Sequence, residues 1–212
     1  MTLLEITAAM QAYANQRNTR GATTMQGWYN NRNMFPYTRD NNNQPIPPAT
    51  EAYVHAYPGI VNNTLIFFVI SAYKDVPGNT NIENDIEVCA TSWLNPGSTP
   101  SGSEGQTGDP LPVADALNLI QNWIGNYSPW IGNNITTIFQ AFRIPQSDSS
   151  YGSIHNATLA LKSDSSTTGV ASDVVVQDVN SQIIEYFDTV QPVPPFPISD
   201  PETDYYLYTL LT

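Results

Sequence analysis

Two histidines, one cysteine and 19 carboxylates are the side chains with which this 212-residue chain could do proton-transfer, nucleophilic or metal chemistry. A metal site of fixed geometry needs three or four ligands, often two of them close in sequence, as in His-x-x-x-His. His55 and His155 stand a hundred residues apart and read as loop or surface histidines. A nucleophilic thiol needs a cation or a helix N-terminus to lower its pKa. Cys89 instead follows Glu83, Asp85 and Glu87, so the expectation is a buried structural thiol. A single cysteine also excludes an internal disulfide and any Cys-rich metal site.

Two groups of carboxylates are close enough in sequence to act together. Asp75, Glu83, Asp85 and Glu87 crowd one loop but lack the regular Asp-x-Asp-x-Asp-Gly spacing of a calcium loop. Asp173, Asp178, Glu185 and Asp188 could supply a general acid and base. Glu185 and Asp188 would point to opposite faces of a strand, so this set reads as solvated strand-edge charge. Neither a Gly-x-Ser-x-Gly elbow nor a Gly-x-x-x-x-Gly-Lys-Ser/Thr phosphate loop occurs. No catalytic residue, metal or cofactor is therefore expected, and the balance leans away from an enzyme.

The charge balance is more informative than any motif. The chain carries a net charge of −12 with only 12% charged residues. Phosphate neutralisation needs clustered cations, which argues against nucleic acid, and the longest apolar run, 65–70, is too short to span a bilayer. Four of the seven cations, Arg17, Arg20, Arg32 and Arg39, lie in the first 40 residues. They interleave with Trp28, Tyr29, Phe35 and Tyr37, and Arg with aromatics is the composition of interface hot spots. The leading expectation is thus a non-enzymatic interaction or structural protein whose partner is a protein, with a second copy of itself as one candidate. In that reading the Arg/aromatic segment docks on an acidic surface. The alternative is a carbohydrate- or small-ligand-binding domain using Trp93, Trp123 or Trp130 as stacking platforms. A hydrolase with an unrecognised carboxylate site is a third, weaker alternative.

The elements that must position these residues suggest an α+β fold, mainly antiparallel, with two amphipathic helices. Residues 2–16 predict a helix, opened by a Thr2-x-x-Glu5 capping box. Residues 17–50 read as an irregular connection. The apolar run 65–70 and the alternating stretch 86–93 predict an antiparallel hairpin across the turn-forming residues 75–79. Residues 95–110, rich in Gly, Ser, Thr and Pro, predict a linker between an N-terminal part (1–94) and a C-terminal part (111–212), although one single domain stays open. Val113, Ala116, Leu117, Ile120 and Ile124 predict a second helix. Strands are expected at 138–144, 157–161, 170–179 and 183–190, a proline block at 191–201 that prevents pairing, and a last strand at 204–211. The shared order of helix, gap and strands suggests a weak internal repeat. The simpler alternative is one sheet with helices on one face.

Within residues 111–197, Ala116 with Trp123, the segment Phe142-Arg143-Ile144-Pro145-Gln146-Ser147-Asp148, the run Val174-Val175-Val176-Gln177-Asp178 and the stretch from Phe187-Asp188 to Pro194-Pro195 occur in that order. This order resembles a group of small Bacteroidetes proteins with no assigned activity. Val193 stands where that group usually has Cys. The resemblance implies an α+β fold and a bacterial cytosolic origin. The first residues lack a basic region followed by an apolar run, so the default expectation is a cytoplasmic protein, with export by a non-classical route left open.

Overall fold

The structure, a computed structural model, describes residues 1–38, 53–94, 111–146, 154–163, 170–179, 184–188, 190–193 and 205–211. Helix α1 (Leu3–Asn18) begins where the capping box predicts: Glu5 N–H donates to Thr2 Oγ1 at 3.3 Å and Thr2 N–H to Glu5 Oε2 at 2.8 Å. Its buried face carries Ile6, Ala9, Met10 and Tyr13. Residues 17–50 depart from expectation. Residues Ala22–Tyr29 form helix α2 and Met34–Thr38 form strand β1, while 39–50 lie outside the described residues. An eight-residue helix is marginal in isolation. This one is held by Met25, Trp28 and Tyr29, all buried. Pro36 obscures the alternation of β1, but β1 is an edge strand, where proline is tolerated.

Strands β2 (Tyr53–Val61) and β3 (Thr64–Ser71) form a tight hairpin, with Val61 opposite Thr64. Asn62 and Asn63 between them both have positive φ, 49° and 59°, the conformation of a two-residue type I′ turn. β4 (Glu87–Ala90) pairs antiparallel with β3, as expected, after a short helix α3 (Ile82–Asp85). Helix α4 (Val113–Asn134) runs ten residues past Ile124 and through Pro129. The remaining strands are β5 (Ala141–Pro145), β6 (Ile154–Ser163), β7 (Val170–Val179), β8 (Ile184–Phe187) and β9 (Gln191–Val193). β9 corrects the expectation that 191–201 cannot pair: Pro192 lies opposite Phe142 in a three-residue edge strand. The predicted last strand is also corrected, because Tyr206–Thr209 forms a short helix, α5.

Two antiparallel sheets result, ordered β1-β6-β7-β8 and β4-β3-β2-β5-β9. They face each other, rather than forming one sheet with helices on one side. Period-2 alternation sorts the side chains. Leu65, Phe67 and Val69 of β3 meet Ala157, Leu159 and Leu161 of β6 and Val174 and Val176 of β7 between the sheets. Ile66, Phe68 and Ile70 of β3 point the other way, onto Ile6, Ala9 and Met10 of α1. Ala160 of β6, Val175 of β7 and Tyr186 of β8 point outward onto Ala116 and Ile120 of α4. The order of layers is α4, first sheet, second sheet, α1. Each fully buried Phe or Leu of the central layer contributes about 2 kcal/mol over exposure. Residues 95–110 lie outside the described residues, and strands from either side of them share each sheet, β1 with β6 and β2 with β5. Among the described residues no helix is long and apolar enough to cross a membrane.

Candidate functional site

Helix α4 is anchored at its start by Ala116 and Ile120 and further on by Trp123 and Ile131. The face beside that anchor carries Asn122, Asn126, Pro129, Trp130 and Asn133, spaced so that they form one stripe. Opposite the stripe lie Leu161, Lys162 and Ser163 at the end of β6 and Val170 at the start of β7. Together they enclose a cleft of about 340 Å³. The indole N–H of Trp130 donates to the Val170 carbonyl at 2.8 Å, which fixes the ring against the wall. Asn126 Nδ2 donates to the Asn122 carbonyl at 3.0 Å and Asn122 Nδ2 to the Leu161 carbonyl at 3.5 Å. The carboxamide oxygens of both accept no hydrogen bond among the described residues.

Lys162 is the one ionisable side chain among the described residues lining the cleft. Its Nζ stands 2.5 Å from Asp173 Oδ2 and 3.2 Å from Asp188 Oδ1. Burial alone would pull this ammonium down, but the two carboxylates outweigh it and hold the group above its ordinary value. Asp173 is fully buried, and its Oδ1 accepts the Val174 N–H at 2.8 Å. Burial, then hydrogen bonding with Asp188, pushes Asp173 up to about 7, against the opposing pull of Lys162. The expectation of solvated strand-edge carboxylates is therefore corrected for Asp173 and for Asp178, which is also buried.

Both histidines are buried as well, contrary to the loop or surface placement expected of them. His55 lies on β2 with its Nδ1 2.8 Å from Asp75 Oδ2. The same oxygen accepts a short hydrogen bond from the Tyr57 hydroxyl, and Oδ1 accepts the Leu207 N–H at 2.9 Å. The Tyr205 ring stacks on His55 at 4.2 Å. Burial first, then the adjoining Asp75 carboxylate, holds the Tyr57 hydroxyl well above its ordinary value. The acidic loop is dispersed: Asp75 is engaged as above, Asp85 pairs with Lys74 at 2.9 Å, and Glu87 accepts the Thr38 N–H at 2.8 Å. No group of three metal-ligating side chains exists among the described residues. His155 is on β6, 3.2 Å from Asp178 and with its ring against Tyr37. Cys89 is buried in β4, its thiol pushed up by burial and by Glu87.

The N-terminal Arg/aromatic residues divide by type. Trp28, Tyr29, Phe35 and Tyr37 are all buried in one core cluster, the first two on α2 beside Tyr13 of α1 and the last two on β1. Phe35 stacks on Phe67 at 4.0 Å, Tyr29 shares a hydroxyl hydrogen bond with Tyr13 at 2.9 Å, and the Trp28 indole donates to Asn63 Oδ1 at 2.8 Å. Arg17 is buried and donates to the Tyr208 hydroxyl at 3.1 Å, tying α1 to α5. Arg20 is exposed, Arg32 is half-buried, and Arg39 lies outside the described residues. The three tryptophans of the ligand-binding alternative also separate. Trp93 is exposed next to the Met34–Ser92 bridge, and Trp123 is buried with no acceptor for its indole N–H among the described residues. Trp130 alone of the three lines the cleft. The helix stripe that forms the site was present in the sequence as Asn122, Asn126, Trp130 and Asn133. It goes unread if the helix is ended at Ile124, before Gly125 and Pro129. No family model, no curated protein and no solved structure matches the chain.

Proposed function

We propose that this chain is a non-catalytic binding domain that holds a small polar ligand in the cleft between α4 and the end of the β6–β7 pair. The observation that carries the reading is Trp130: an aromatic ring tethered through its own N–H beside three asparagines, on the wall of a concave site. Small-molecule sites combine such an apolar platform with a few fixed polar groups, in volumes of roughly 300–1,000 Å³. Among the described residues the lining offers no activated nucleophile or base, because Lys162 is held protonated between two carboxylates. This reading takes precedence over assembly through the N-terminal Arg/aromatic segment, because the aromatic side chains of that segment are buried in the core. The test is a screen of small polar compounds by two-dimensional NMR of the full chain. Binding in the cleft should move the Trp130 indole resonance and leave that of Trp93 in place. A screen in which no compound moves the Trp130 resonance would end the proposal.

A further inference from the structure

Three features of the cleft wall restrict the chemistry of its ligand. The first is the state of Trp130. Its one polar group is used on the Val170 carbonyl, so what the side chain adds to the cleft lining is apolar indole surface. A ring stacked there must itself present an apolar face.

The second is the choice of asparagine. The wall uses carboxamides, which both donate and accept, where a cation site would use carboxylates. Asn122 and Asn126 each spend one N–H on backbone, and their oxygens accept no hydrogen bond among the described residues. They therefore suit a ligand whose groups also both donate and accept, which is the property of a hydroxyl. From Asn122 to Asn133 the stripe runs about 16 Å along the helix, longer than a single sugar ring.

The third is charge. Lys162 is the ionisable residue on the wall, and its ammonium already faces Asp173 and Asp188. The Lys162 ammonium is already matched by the Asp188 carboxylate, and the chain as a whole carries a net charge of −12. An anion would have to approach against this field. A cation would meet the Lys162 ammonium, which lies between the cleft and the buried Asp173 carboxylate. An uncharged ligand meets neither penalty.

We infer that the ligand is a neutral sugar of one or two rings, stacked on Trp130 and hydrogen-bonded to the carboxamides of Asn122, Asn126 and Asn133. The inference rests on the binding reading above and adds the chemical class. The C–H face of a pyranose supplies the apolar surface that Trp130 requires, and its hydroxyls supply the matched donors and acceptors.

The experiment titrates the full chain with glucose, galactose, mannose, N-acetylglucosamine, maltose, cellobiose and lactose. Glucuronate, glucosamine and inorganic phosphate serve as charged comparisons, and the screen of uncharged non-sugar compounds runs in parallel. Affinity is read by calorimetry, and position by the Trp130 indole resonance. The inference expects at least one neutral sugar to move that resonance and to bind about tenfold more tightly than every charged comparison. W130A should weaken binding about tenfold, the loss of one stacked ring, while W93A leaves it unchanged. N126A, at an exposed helix position, gives the same direction of loss without touching the core. If glucuronate, glucosamine or phosphate binds as well as the best neutral sugar, the inference is overturned and the binding reading stands. The same holds if only non-sugar compounds move the Trp130 resonance. If nothing does, both are overturned.

Discussion

His55 Nδ1 stands 2.8 Å from Asp75 Oδ2, in a place where neither side chain reaches solvent. The carboxylate is a junction: His55 and Tyr57 come from β2, while Leu207 donates its backbone N–H from the C-terminal helix 132 residues away. A buried carboxylate is tolerated only when donors surround it, and Asp75 has three. It therefore fastens α5 to the second sheet, with the Tyr205 ring laid over His55. D75A removes the acceptor and leaves these donors buried and unsatisfied. The expected cost is about 2–5 kcal/mol in urea unfolding. Hydrogen exchange at the Leu207 amide should accelerate more than at the amides of β3. Unchanged protection at Leu207 would mean that the junction does not hold the C-terminus.

Gly59 of β2 lies beneath α1 at a point where a side chain does not fit. A Cβ there would stand 2.5 Å from Phe68 Cε2 and 3.2 Å from the Ala9 backbone carbon. Phe68 is fully buried, so G59A forces its ring and the α1 backbone above it to shift. Overpacking of this kind costs about 1–3 kcal/mol. A shallow substitution elsewhere in β2 would not separate the layers. The expected signature of G59A is therefore a lowered unfolding midpoint together with shifted amide resonances in residues 6–10. A midpoint equal to that of the parent chain would show that the layer spacing has slack.

The same layers explain which parts of the fold could be read from the residues. The capping box of Thr2 and Glu5 is local chemistry, and α1 begins there. The unbroken run 65–70 reads as a doubly buried strand because β3 has the opposite sheet on one face and α1 on the other. β2 escapes notice because Pro58 and Gly59 interrupt it. Yet its pairing with β5 stops at Ala56, so Pro58 sits past the end of that ladder and needs no N–H toward it. Residues 204–211 have the composition of a strand, but α5 is set by Asp75, a tertiary partner that no local window contains. The cleft follows the same rule. Its asparagines are on one helix face, but that they border a cavity depends on β6 and β7.

Asp173 gives the stability of the chain a specific pH dependence. Its carboxyl, pushed up to about 7 in the fold from an ordinary value of 3.8, binds a proton more tightly folded than unfolded. The stabilisation from this group is therefore complete below about pH 3.8 and is lost as pH rises through 7. D173N has no proton to lose at this position. The thermal midpoint of the parent minus that of D173N should fall from pH 5 through about pH 7 and level off by pH 8. A difference that stays constant over that range would show that Asp173 is ionised throughout. D188N provides the cross-check, since removing the neighbouring carboxylate should move the slope to lower pH.

Asn63 serves the turn and the core at once, and two substitutions separate the roles. Its backbone has φ 59°, in the left-handed region, and its Oδ1 accepts the Trp28 indole N–H at 2.8 Å. N63G keeps the backbone freedom and removes only the acceptor. Trp28 is buried, so its unpaired donor should cost about 1–3 kcal/mol. N63A removes the acceptor and also places a Cβ in the left-handed conformation, adding about 1 kcal/mol. The ordering expected in chemical denaturation is parent, then N63G, then N63A. Trp28 sits on α2, so the loss of its partner should also raise hydrogen exchange in residues 22–29, whereas the turn strain alone acts on β2 and β3. Equal stability of parent and N63G would show that the hydrogen bond contributes nothing net. Equal stability of N63G and N63A would show that the turn does not require the left-handed conformation at this position.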